Sequence, residues 1–117
     1  MRSSCPISCA LDLIGDKWTL IIMRDLLFAG KSAFSELARP EGIATNVLTE
    51  RLNRLEKAGV IRRERDPNDG RRRRYVPTAR GQALRPVIME LGIFGMEHCG
   101  GTAHRAVFEA AKAARGS

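Results

Sequence analysis

Apolar residues recur along this chain at two different periods, and the change of period marks where helices give way to strands. From Ile7 to Ile14, the spacing of Ala10, Leu11 and Ile14 predicts a short helix that Gly15 ends. Asp16 is placed to cap a second helix reaching Leu27 or Phe28. In it Trp18, Leu20, Ile21, Ile22, Met23, Leu26 and Leu27 leave only a narrow polar strip, so this helix belongs at the centre of the core. After Gly30, Ser32 can cap a helix from Ala33 to Ala38 that buries Phe34 and Leu37, before Pro40 and Gly42 break the chain. A fourth helix, Thr45 to Ala58, carries Leu48, Leu52 and Leu55 on one face and stops at Gly59. Its other face presents Asn46, Glu50, Asn53, Arg54 and Lys57, with Thr49 at the edge. Val60 to Arg65 and Arg72 to Val76 read as two strands joined by the turn residues Asp66-Pro67-Asn68-Asp69-Gly70. Thr78 then caps a long helix to about Cys99, with Leu84, Val87, Ile88, Leu91 and Phe94 as its apolar stripe and a bend at Pro86. A short helix from Ala103 to Ala114 fits the Ala-rich remainder. The fold class is therefore mainly α with a small antiparallel β-hairpin.

Length and charge sharpen this picture. A chain of 117 residues, 44% hydrophobic and 28% charged, suits one compact domain and excludes both a disordered chain and a membrane protein. No apolar run exceeds four residues, and Asp12, Asp16 and Lys17 interrupt any signal peptide, so a cytoplasmic protein is expected. The net charge is +7, and Arg51 to Arg74 alone, with ten basic and four acidic residues, contributes +6 of it. A field concentrated in this way suits a polyanion.

Two short helices separated by a Pro/Gly turn, the second polar outside, followed by a basic hairpin, make a winged helix-turn-helix. Such a helix fits the major groove of double-stranded DNA. There Thr45, Asn46, Thr49, Asn53 and Arg54 would read base edges: Asn bidentate to adenine, Arg to guanine, a Thr methyl against thymine. Glu50 would accept from cytosine or orient Arg54 at i+4. In the hairpin, Arg71 and Arg73 point one way and Arg72 and Arg74 the other. One pair reaches phosphate, while the other follows the backbone further or neutralises Asp66 and Asp69; the residue pattern leaves that choice open.

These motifs resemble those of the HxlR family of bacterial transcriptional regulators. The likeness begins with Cys5-Pro6, Ala10-Leu11-Asp12, Ile14-Gly15 and Lys17-Trp18-Thr19. It continues in order through Phe34-Ser35-Glu36-Leu37, Ile43, Val47-Leu48-Thr49, Arg51-Leu52, Leu55-Glu56 and Gly59-Val60-Ile61 to Tyr75, Thr78 and Gly81, and covers about Cys5 to His98. The resemblance implies a DNA-binding winged helix that works as a homodimer on an operator, with the first and last helices building the dimer interface in a domain of residues 1–102 and with 103–117 as a tail. Ala44 stands where the family often has a Ser cap, and Phe94 where it often has Trp. The wing is more basic than usual for the family and looks like that of MarR-type regulators. Half-sites about one helical turn apart are expected, as is control by thiol oxidation or by a small-molecule effector between the helices.

Cys5, Cys9 and Cys99 should be reduced thiols rather than a disulfide framework. Some HxlR members sense oxidants with the Cys that precedes Pro, here Cys5. It lies just before a helix, with Arg2 near, a setting that lowers a thiol pKa. Cys9 one turn on, or Cys99 across a dimer, could resolve it. A metal site from Cys5, Cys9, His98 and Cys99 lacks zinc-ribbon spacing, and Gly30-Lys31-Ser32 is not a phosphate loop because Asp25 stands where its first Gly should be. His98 and His104 have no acid or nucleophile at a useful spacing, so neither enzyme chemistry nor a cofactor is expected. The rival readings are a protein-interaction module on the same scaffold, a thiol- or metal-dependent redox enzyme, and a nonspecific DNA-packaging protein.

Overall fold

The computed structural model describes residues 4–38 and 42–115; Arg2, and Pro40 of the expected turn, lie outside them. The chain divides into two compact units, one ending at Ala83 and the other starting at Leu84.

In the first unit, α1 (Pro6–Ile14) begins on Pro6, whose fixed φ and missing N–H cost nothing in a first turn, and ends where the Gly15 amide donates to the Leu11 carbonyl at 2.8 Å. Asp16 caps α2 (Lys17–Phe28) as expected: its Oδ1 accepts from the Thr19 amide at 3.0 Å. The short helix α3 (Phe34–Ala38) starts one residue later than the sequence suggests. Its cap is the Glu36 carboxylate, which accepts from the Ala33 and Ser32 amides at 2.9 and 3.2 Å. The next helix, α4 (Thr45–Lys57), turns Leu48, Leu52 and Leu55 fully inward. They join Ile22, Met23, Leu26 and Leu27 of α2, with Leu37, Ile43, Val60 and Ile61, in the core of this unit.

The strands β1 (Ile61–Asp66) and β2 (Asp69–Pro77) pair antiparallel, from Ile61 opposite Pro77 to Arg65 opposite Arg73, with an irregularity before the turn. β2 starts three residues earlier than expected, so the basic run lies within the strand. On its other edge the Tyr75 amide donates to the Ser32 carbonyl at 2.8 Å, and Ala33 forms a bridge to Arg74, which ties the hairpin to the start of α3. Thr78 caps the single turn α5 (Ala79–Gln82). Gly81 is required there, because a Cβ would stand 2.3 Å from the Val60 carbonyl oxygen.

The expected long helix from Thr78 to Cys99 is broken rather than bent. Pro86 removes an N–H, and its ring conflicts with the carbonyl four residues back, that of Gln82. Accordingly α5 ends at Gln82, and α6 (Arg85–His98) restarts with Pro86 in its first turn. In this second unit α6 packs against α7 (Arg105–Arg115), two residues shorter at its start than the sequence suggests. Phe108 lies directly on Gly92, where a Cβ would be only 2.1 Å from its ring. Ion pairs from Lys112 to Glu97 (2.7 Å) and from Arg115 to Glu90 flank that contact. Ile88 and Ile93 are buried, whereas Val87, Leu91 and Phe94 of the same helix are exposed. No helix among the described residues is long and apolar enough to cross a membrane.

Candidate nucleic-acid interface

With its leucines turned inward, α4 leaves Thr45, Asn46, Thr49, Glu50, Asn53 and Lys57 exposed. Asn46, Thr49, Glu50 and Asn53 line an open hollow along this face together with Arg54, Glu56 and Lys57. Ala44 makes no side-chain cap, so the first amides of α4 have no such partner at the end where Thr45 and Asn46 stand. The outer face is thus a row of uncommitted amide and hydroxyl groups on a rigid support.

Arg54 is placed differently from its neighbours. Its Nη2 donates to Asp16 Oδ2 at 2.6 Å and to Thr19 Oγ1 at 3.0 Å, and its Nε is buried without a partner. Arg51 Nε donates to the other oxygen of Asp16 at 3.0 Å. Burial raises the pKa of the Asp16 carboxyl, but hydrogen bonds from the Thr19 side chain and amide and from the two arginines outweigh it and hold the group well below the usual carboxylate range. Glu50 pairs with Arg51 and not with Arg54, its i+4 neighbour, because Asp16 already holds Arg54.

The hairpin register sorts the arginines by the partners each can reach. Residues directly opposite share a face. Glu64, opposite Arg74, accepts from Arg74 Nε at 2.8 Å and from Arg62 Nε at 3.3 Å, so among the described residues Arg72 is the arginine on that face that no ion pair reaches. The bond from Arg74, above all, lowers the Glu64 pKa; burial opposes it, and the charges of Arg74 and Arg62 and the bond from Arg62 add to the lowering. On the other face Arg63 bonds Glu56 at 2.9 Å and lies over the Tyr75 ring, while Arg65 stands opposite Arg73. Among the described residues no ion pair reaches Arg65, Arg71, Arg72 or Arg73, and all four are exposed. Asp66 and Asp69, expected as possible partners of the arginines, instead accept from the Asn68 and Arg71 amides at 2.8 and 3.0 Å and fix the turn. Arg65, which the alternation of Arg71 and Arg73 within one strand does not reach, joins their face by its place opposite Arg73.

Cys5 occupies the N-cap position of α1 and is exposed. Hydrogen bonds from the Ser8 and Ile7 amides lower its thiol pKa, against a smaller opposing effect of burial. Cys9 is half-buried and Cys99 exposed; no disulfide joins the three, and no group of metal-ligating side chains is present among the described residues.

The profile of the "HxlR-like helix-turn-helix" family matches residues 13–103. An HTH-type transcriptional regulator of Synechocystis sp., sll1512, is 33% identical over 93 residues, covering 80% of this chain and 69% of that protein. The chain spans little more than half the length of its mycobacterial relatives. Among solved structures, a MarR-family regulator from Porphyromonas gingivalis W83 superposes with a TM-score of 0.72 at 28% identity, covering 84% of this chain and 96% of that one. The redox regulator HypR in its oxidized form gives 0.72 at 30% identity, covering 80% and 97%.

Proposed function

The chain belongs to the HxlR-like helix-turn-helix family of transcriptional regulators, and from that premise we propose that it works in the cytoplasm as a homodimer, setting two α4 helices into successive major grooves of an operator. Thr45, Asn46, Thr49, Glu50 and Asn53 face base edges, while Arg71 and Arg73, with Arg65 beside them, hold phosphate. The observation that carries this reading is the hairpin face on which Arg65 and Arg73 stand opposite each other without a carboxylate, beside the uncommitted outer face of α4. Like charges directly opposite destabilise a hairpin, and an anion between them removes that cost. The activity is binding, not catalysis.

Dimer formation draws on the apolar side chains that α1 and α6 each leave in water: Ile7 and Leu11 on the first, Val87, Leu91 and Phe94 on the second. Sedimentation of the purified chain tests it, and a monomer at micromolar concentration contradicts it. Binding is tested by fluorescence anisotropy on a duplex selected by the protein from a randomised library and on a scrambled duplex of equal composition, across a salt series. Preference for the selected duplex, with log affinity falling linearly in log salt, supports the reading; equal binding to both defeats operator recognition.

Regulation through Cys5 is the second part of this proposal, favoured by its exposure and lowered thiol pKa and by the likeness to HypR, described as a redox regulator. A thiolate at this site reacts with an oxidant to a sulfenic acid, which a second thiol condenses to a disulfide. Oxidant should release the parent from DNA and leave Cys5→Ser bound; equal responses of the two remove the thiol branch and leave a small-molecule effector.

A further inference from the structure

We infer that Asp16 positions the recognition helix, and that Arg54 influences operator choice through Asp16 rather than by touching a base or a phosphate. The inference rests on the DNA-binding reading above and goes beyond it by giving Arg54, which that reading leaves without a role, a positioning one, exercised through Asp16 at the start of a different helix.

Both oxygens of Asp16 are used twice. Oδ1 accepts from the Thr19 amide and from Arg51 Nε, each at 3.0 Å. Oδ2 accepts from the Thr19 hydroxyl at 2.7 Å and from Arg54 Nη2 at 2.6 Å. One carboxylate thereby caps the start of α2 and grips α4 at two positions three residues apart, which lie on the same side of a helix. Elsewhere α4 is held by the Glu56–Arg63 pair near its C-terminal end and by its leucine stripe; apolar contact is non-directional, so the stripe by itself resists lifting better than rolling. Charge-assisted hydrogen bonds are directional and supply the missing restraint. The restraint matters because a roll of about 20° carries a side-chain tip about 5–6 Å from the helix axis sideways by about 2 Å. That displacement exceeds the ~0.5 Å tolerance of a working contact set. Asn46, Thr49 and Asn53 would all move together.

Arg54 is also poorly disposed to leave. Its Nε is buried, and its Nη2 serves a Thr19 hydroxyl that is itself wholly inaccessible to water. A phosphate could take Nη2 only by displacing Asp16, which would strip one of two arginine partners from that carboxylate. Asn46, Thr49 and Asn53 have no such commitment.

The test compares the full chain with Asp16→Asn, Arg54→Gln and the double variant, using the selected and scrambled duplexes across a salt series. Asn keeps the helix cap while removing the charge. Asp16→Asn and Arg54→Gln should each lower the selected-to-scrambled ratio by a similar factor, about tenfold, and the double variant should lose no more than either, because both act through one link. Arg54→Gln should leave the salt slope unchanged, since it gives up no phosphate. The inference is overturned if Asp16→Asn discriminates like the parent, if the two losses multiply, or if the slope falls by about 0.9 per protomer in Arg54→Gln. That last measurement decides the matter even if Asp16→Asn fails to fold. A parent that binds no duplex selectively overturns the DNA reading and this inference with it; a selective parent with multiplying variants overturns the inference alone.

Discussion

Four arginines follow one another in β2, yet their neighbours give them different work. Arg74 is spent on Glu64, while Arg73 meets only another arginine across the ladder. Arg73→Ala should therefore weaken binding to every duplex by a similar factor and lower the salt slope by about 0.9 per protomer in anisotropy titrations. Arg74→Ala should leave the slope alone and cost the hairpin about 0.2–1 kcal/mol in thermal unfolding. Asp16 makes a prediction in pH. Its folded pKa lies below the unfolded value of about 3.9, so its contribution to stability is complete above that pH and is lost as pH falls below about 4 toward the folded pKa. Between pH 5 and pH 2 the melting temperature of the parent should fall further than that of Asp16→Asn; equal falls would show that the carboxylate is not held as described. For Cys5 the expected outcome is alkylation half-maximal at a pH below the ordinary thiol value of about 8.5, read by mass spectrometry of the labelled peptide. At this scale the sequence revealed which residues of α4 face outward, because that follows from helical period alone. It did not reveal that Arg54 is tethered, because its partner lies 38 positions earlier in the chain.

The elements were more legible than the side-chain partnerships within them. Caps at Asp16 and Thr78, the leucine stripe of α4 and the turn after Asp66 are local signals, and each marks a real boundary. At Pro86 the apolar stripe, which continues past it, predicts only a bend; the lost amide and the crowded Gln82 carbonyl instead end one helix and begin another. The pairing of α6 with α7 had no local signal, since Gly92 looks like a weak helix position until Phe108 is laid on it. Gly92→Ala should thus detach α7 despite the higher helix propensity of Ala. Overpacking of about 1–3 kcal/mol is expected, with hydrogen exchange of the α7 amides rising while those of α4 stay unchanged. Unaltered protection of α7 would show that the close approach is not what holds it.

Across the whole molecule, charge and apolar surface lie on different elements. The basic excess occupies α4 and the hairpin, whereas the exposed large aliphatic and aromatic side chains among the described residues are on α1 and α6, with Val107 on α7. Nearly all of that charge asymmetry could be read from the sequence, but the exposure of Val87, Leu91 and Phe94 could not, because a stripe that packs within the chain and one that awaits a second copy have the same period. Phe94→Asp should convert a dimer to a monomer in sedimentation velocity and weaken operator binding about a hundredfold, since only one half-site can then be held at a time; an unchanged dimer would move the interface elsewhere.

Sequence-specific DNA binding by α4, with phosphate held by the hairpin, is what we propose for this molecule. The measurement that tests it most directly is anisotropy of the full chain on the selected and scrambled duplexes over a salt series, repeated with Arg73→Ala. Roughly a thousandfold preference for the selected duplex, a steep linear loss with log salt, and a smaller slope in the variant are expected. A randomised library that yields no enriched duplex, or a slope that Arg73→Ala leaves untouched, would contradict it.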